Sequence, residues 1–428
     1  MATERAYWLA WSRIKNVGPV TIKRLWEHFG ALALAWKAPA SELLSVDGIG
    51  LLIAEQIVSQ RSKIRPDQLL HEHEQANQSF WTPADSDYPA LLFAINDPPP
   101  VLYYRGQLRL NDAPHLLSVG MVGTRRPSAY GKRWTQRISA GLSRRGALIV
   151  SGLAAGIDTE AHTSCLQQRG LTVAVLGTGV DVVYPHRNTG LYQRVVEQGL
   201  VVSEYPDGTG PDKTHFPQRN RIIAGLSRAT LVMEAPARSG ALITARLAND
   251  YCREVFALPC ALDNEVGEGC LRLINEGAQV ILGERALVET LEALPGVDVA
   301  AVVKAAVAKS DKDLASDAVR LDSIASSVER SSAEPASAAS SSDAVAAVPD
   351  VPVLPTGPAL NAAALAAAMP ELSPLLTQVF DAVPVEPTLL DYIVQRSQIE
   401  TGRVLGALVE LELSGLVVQL PGMQYQRA

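Results

Sequence analysis

The chain has 428 residues, 47% hydrophobic and 19% charged, with a formal net charge of −7 at pH 7, so it is too long for one core and not drawn as a whole to a polyanion. Its four cysteines, Cys165, Cys252, Cys260 and Cys270, lack C-x-x-C spacing, which argues against a zinc site or a disulfide framework and fits a reducing cytosol. No apolar run approaches the roughly 18–20 residues of a membrane span and the start reads as no signal peptide, so a cytoplasmic protein is expected.

In chain order, residues 1–80 read as an all-α domain of short helices. Two Gly turns, Val17-Gly18-Pro19 and Val46-Asp47-Gly48-Ile49-Gly50, resemble the hairpins of helix-hairpin-helix or SAM-like domains. Such turns bring backbone N–H groups to a phosphate, or merely join packed helices; both readings stand. Residues 81–295 are assigned to one α/β domain. Short Val/Leu/Ile-rich runs at Leu116–Val122, Ala147–Val150, Leu171–Leu176, Leu200–Ser203, Ala229–Met233, Glu254–Leu258 and Gln279–Leu282 predict strands. The helical stretches between them, Tyr130–Arg145, Asp158–Arg169, Arg219–Leu226 and Leu242–Cys252, predict an extended Rossmann-like parallel sheet covered on both faces. From Ala113 to Ile157 there is no acidic residue but seven basic ones, Arg125, Arg126, Lys132, Arg133, Arg137, Arg144 and Arg145, which form either a local phosphate-binding face or a solvated helix face.

Residues 296–372, rich in Ala, Ser and Pro, are predicted to be a disordered linker, because they cannot bury enough apolar surface to fold. Within 373–428, three helices (Leu375–Ala382, Leu389–Arg396, Thr401–Ser414) and a hairpin around Pro421-Gly422 predict a winged helix. Seven acidic residues against Arg396, Arg403 and Arg427 between Glu371 and Ala428 make it a poor duplex reader and suit it to protein contacts or to tuning a binding pocket elsewhere in the chain.

Three loops carry the chemistry. In an open α/β sheet, ligands meet the loops that leave strand ends. The first, Gly123-Thr124-Arg125-Arg126-Pro127-Ser128, offers close backbone approach, a hydroxyl and two guanidinium groups. It is not G-x-G-x-x-G, and Gly177-Thr178-Gly179 lacks the third glycine, so no dinucleotide cofactor is expected. The second, Lys213 to Arg221, sets an ammonium, the Phe216 ring, Arg219, Arg221 and the Asn220 amide within nine residues, the mixture of charge and ring face that single-stranded nucleic acid requires. The third, Ala237 to Thr244, places Ser239 and Gly240 at a helix N-terminus, an anion site or a plain cap. Asp158 and His162, four apart on a helix, are read as structural rather than catalytic, and no metal is expected.

These loops, with Ser151–His162, Ala174–Pro185 and Glu234–Ala245, resemble in order and spacing the DNA-processing protein A (DprA/Smf) family over residues 80–285. The resemblance implies a non-enzymatic single-stranded DNA binder that dimerises and loads RecA recombinase during natural transformation. It places DNA contacts on Arg125, Lys213, Phe216, Arg219, Asn220 and the Ser239-Gly240 turn, with Thr124, Arg126 and Thr244 beside them. Cys252 and Cys260 stand where the family usually has glycine; a positive φ at Cys260 would strain that loop. The rival reading is a nucleotide-processing enzyme of phosphoribohydrolase type, against which Glu234-Ala-Pro-Ala-Arg-Ser-Gly lacks that family's P-G-G-x-G-T-x-x-E pattern.

Overall fold

A computed structural model of the chain describes residues 2–77, 79–110, 116–298, 374–386, 388–399, 401–414, 416–420 and 424–427. The chain divides into two compact units, Met1–Ala333 and Glu334–Ala428. The first opens with six helices: α1 (Glu4–Trp11), α2 (Pro19–Phe29), α3 (Leu32–Lys37), α4 (Ala40–Leu43), α5 (Leu51–Arg61) and α6 (Pro66–Ala76). Gly18 and Gly50 precede α2 and α5, so both predicted hairpin turns lie where the chain enters a helix. Pro19 occupies the first turn of α2, where its missing N–H costs nothing. The helices close on Trp8, Trp11, Ile22, Leu25, Leu32, Leu43 and Ile57, all fully buried.

Nine strands follow in one sheet, with the short helix α7 (Ala90–Phe93) between the second and its predecessor. They are β1 (Phe80–Trp81), β2 (Leu102–Gly106), β3 (Ser118–Gly123), β4 (Leu148–Ser151), β5 (Leu171–Leu176), β6 (Leu200–Ser203), β7 (Ala229–Glu234), β8 (Glu254–Ala257) and β9 (Gln279–Val280). The order is β1-β2-β6-β5-β4-β3-β7-β8-β9. Strands β3 to β9 pair in parallel, whereas β1 and β2 add an antiparallel edge beyond the expected all-parallel sheet. The helices in between are α8 (Ala129–Arg144), α9 (Ile157–Gln167), α10 (Thr189–Gln198), α11 (His215–Gly225), α12 (Gly240–Asp250), α13 (Glu268–Asn275) and α14 (Glu284–Glu292).

Alternation along the strands fills two apolar layers. Val122, Leu148 and Val150 meet Ile222, Ala241, Ala245 and Leu273 of α11 to α13, while Met121 and Ile149 meet Ile138, Ile157 and Leu287 of α8, α9 and α14. From β3 the chain winds outward through β4, β5 and β6, then crosses back to lay β7 on the other side of β3. That reversal opens a crevice at the carboxyl ends of β3 and β7, the place where such sheets hold ligands. The helical N-terminal segment and the sheet share packing: Leu9 of α1 is buried with Phe80, Val101, Tyr103 and Leu176. His73 of α6 is 2.9 Å from the Tyr103 hydroxyl.

The second unit contains α15 (Pro374–Ala382), α16 (Leu390–Ser397) and α17 (Thr401–Leu413) and the strands β10 (Thr388–Leu389), β11 (Val417–Leu420) and β12 (Gln424–Arg427). Its sheet runs β10-β12-β11, one short strand more than the expected two-stranded wing. Val379, Ile393, Leu408, Leu411 and Tyr425 form its core. Of the predicted linker 296–372, residues 299–372 lie outside the described residues, as does the Pro421-Gly422 turn.

Candidate nucleic-acid interface

The loop from β3 to α8 is held at both ends by one buried acid. The Thr124 N–H donates to the Glu234 carbonyl at 2.7 Å. The Glu234 carboxylate, 2% exposed, accepts from the Ser128 N–H and hydroxyl, both at 2.7 Å. Ser128 in turn caps α8 by accepting from the Gly131 N–H at 3.1 Å. Arg125 and Arg126 are therefore displayed, exposed, between two pinned points. Gly156 lets the neighbouring loop press against them: its φ is +86°, and a Cβ there would stand 2.4 Å from the Thr124 carbonyl oxygen.

The second loop enters α11 through Asp212, which accepts from the Thr214 N–H and hydroxyl at 2.7 and 2.6 Å. Phe216 then lies against Gly177, where any Cβ would come within 2.9 Å of the ring. The Arg125 guanidinium sits 5.5 Å from the centre of that ring, and the Tyr184 ring is also 5.5 Å away, tilted by 35°. In the third loop Ser239 caps α12, accepting from the Ala241 N–H at 3.3 Å. The Gly240 carbonyl accepts from Asn220 at 3.2 Å, which ties α12 to α11, and from the Thr244 hydroxyl, one turn on in α12, at 3.4 Å.

The three loops enclose a cavity of about 550 Å³ whose lining includes Thr124, Arg125, Lys213, Phe216, Arg219, Asn220, Ser239, Gly240 and Thr244. Arg126 is the one predicted contact left outside that lining; its side chain is exposed, and its N–H donates to the Thr124 hydroxyl at 3.2 Å. Two residues that the sequence reading did not single out join the lining, Tyr184 and Arg238. Nothing in residue type separates a ring or cation that faces a cavity from one that faces water.

The loop's two arginines do different work from the one expected. Arg219 is only 5% exposed, and its Nη1 donates to the carbonyls of Gly152, at 2.7 Å, and of Val175. Burial pushes its guanidinium down to about 10, with Asp158 opposing the shift, and its Nε has no hydrogen-bond partner. Arg219 thus forms the floor of the cavity rather than its rim. Arg221 leaves the site altogether: it is bound by Glu204 and donates to the Asp97 carbonyl at 2.6 Å. Asp158 accepts from the Gly152 and Ala154 N–H groups at 3.1 and 3.3 Å, while His162 Nδ1 is 2.7 Å from the Thr172 hydroxyl. Each is occupied with the scaffold, and no group of three or more metal-ligating side chains occurs among the described residues.

Comparison with known proteins fixes the family. The family model for DNA recombination-mediator protein A matches residues 79–292, and the model for the DprA winged helix domain matches residues 363–423. Over 426 residues the chain is 46% identical to Protein Smf of Synechocystis sp., covering 99% of both chains. The chain belongs to the DprA/Smf family. A further DprA/Smf relative, DNA processing protein DprA of Streptococcus pneumoniae, is 46% identical over 197 residues, 46% of this chain and 68% of that one. The X-ray structure of the S. pneumoniae DprA is 34% identical to this chain, with a TM-score of 0.57, and matches 68% of this chain and 98% of that one. In this DprA/Smf chain no helix among the described residues is long and apolar enough to cross a membrane.

Proposed function

We propose that the chain binds single-stranded DNA in this cavity and hands it to a RecA-type recombinase, acting in the cytoplasm as a homodimer and catalysing no reaction of its own. The observation that carries the reading is the convergence of three exposed cations, Arg125, Lys213 and Arg238, with the Phe216–Tyr184 ring pair and the α12 N-terminus on one concavity. The cations and helix N–H groups hold backbone phosphates, and the rings offer a face to an unstacked base. A duplex hides its base faces, so the rings select the single strand; the −7 net charge keeps the rest of the surface from adding unspecific affinity. The family's description as a recombination mediator supports the hand-over to a recombinase.

The test is fluorescence anisotropy of a labelled single strand of about 20 nucleotides at two salt concentrations, with duplex competitor. With three phosphate contacts, log affinity should fall against log salt with a slope of about −2. Lys213→Ala/Phe216→Ala should abolish most of the binding. A folded wild type that ignores the strand would sink the reading, and release of free base from a nucleoside monophosphate would replace it with the enzyme.

A further inference from the structure

A second concavity, of about 230 Å³, lies between α12 and α13 and shares Arg238 and Ser239 with the first. Three guanidinium groups from three elements line it: Arg238 before α12, Arg246 on α12 and Arg272 on α13, all exposed. The single carboxylate in its lining, Glu276, is joined to Arg272 at 2.7 Å, one turn away on the same segment. In a chain of net charge −7, a hollow with three cations and one acid is a local inversion of sign. Leu242 and Leu273 give it an apolar wall.

We propose that this groove is a second phosphate-binding subsite, which takes the next nucleotides of the same DNA strand as it leaves the first cavity past Arg238. The inference rests on the single-strand reading of the first cavity and extends it. Continuity is what selects this ligand over an acidic peptide, since the two hollows share two lining residues and no carboxylate stands at their junction. Arg246 lies six residues beyond Gly240, about 9 Å along the helix axis, so it meets a segment of strand that Lys213 and Arg125 do not. Arg272 faces the same segment from the opposite wall, and the guanidinium forks hold phosphate oxygens from two sides.

Anisotropy with two oligonucleotides decides it: one of about 2 nucleotides, short enough for the first cavity alone, and one of about 20. Arg246→Ala/Arg272→Ala should weaken the longer strand about tenfold and flatten its salt slope by about 1.4, leaving the shorter one unchanged. Arg246→Lys/Arg272→Lys should restore most of the slope, because the charge returns without the fork. Both side chains are exposed, so a thermal melt should show the variants as stable as wild type. Unchanged affinity and slope with the longer strand, or equal losses at both lengths, would overturn the groove while leaving the first cavity standing. A wild type that binds neither length would instead remove the reading on which the groove depends.

Discussion

Below the aromatic pair, Arg219 sits where its removal would be felt in stability before binding. Asp158 is buried, and burial raises its carboxyl while the Arg219 charge holds it down. Arg219→Met leaves that acid without its counter-charge and should destabilise the chain by about 3 kcal/mol in urea unfolding. Lys213→Ala, at an exposed position, should stay within about 0.5 kcal/mol of wild type and still lose DNA affinity. His162 gives a pH signature. Burial first, and Arg219 second, hold its imidazole down at about 3, whereas the unfolded group takes its proton near 6.5. Between those values the unfolded state binds more protons, so stability is full above about pH 6.5 and falls on acidification, by about 1.4 kcal/mol per pH unit. Asp158, raised by burial, works in the opposite sense; the difference between wild type and His162→Asn therefore isolates the histidine, and the variant should show the flatter profile. Cys252 is the residue whose strain the sequence located one loop away. It has a φ of +54° while Cys260 is not among the positive-φ residues, because Cys252 and Arg253 close a left-handed cap on α12, donating to Asn249 and Ala248 at 2.9 and 2.8 Å. Cys252→Gly should raise stability by about 0.5–1 kcal/mol, read as a higher urea midpoint.

Among elements, what could be read from sequence was what repeats. Strands β3 to β9 are continuous apolar runs bounded by turn residues, and each is found within about two residues of its expected ends. Strands β1 and β2 were illegible for the opposite reason. Phe80-Trp81 is two residues long, and Leu102-Tyr-Tyr-Arg-Gly106 mixes ring and charge; β2 is fixed by pairing with β6, and β1 by pairing with β2, not by their own pattern. The three site loops were legible because each combined chemistry with a strand end, yet their residues' depths were not. The basic run before Ile157 was half a misdirection: Arg137 and Arg144 pair with Glu284 and Arg145 with Glu292, so α14 consumes three of its cations. The winged helix follows a similar logic. Arg427 donates to the Val383 and Phe380 carbonyls at 2.7 and 3.0 Å and so serves its own fold, leaving Arg396 and Arg403 against seven acids. A fragment spanning 371–428 should therefore show no tight, salt-sensitive binding to duplex DNA; a steep salt slope would mean that this unit reads the double helix.

For the whole molecule, the sum of charges is a poor guide and their arrangement a good one: a net charge of −7 coexists with two adjoining cationic hollows, one at the carboxyl edge of the sheet and one between α12 and α13. The boundary drawn at residue 80 has a further consequence. Leu9 is completely buried, and the side chains around it include Tyr103, Leu176 and Val201 of the sheet that follows. Scissors applied at that point would not free one lobe from another; they would pull a plug from its socket. A polypeptide of residues 81–295 should be sticky and scatter light as it self-associates, and adding residues 1–77 as a separate chain should restore a soluble, non-covalent whole.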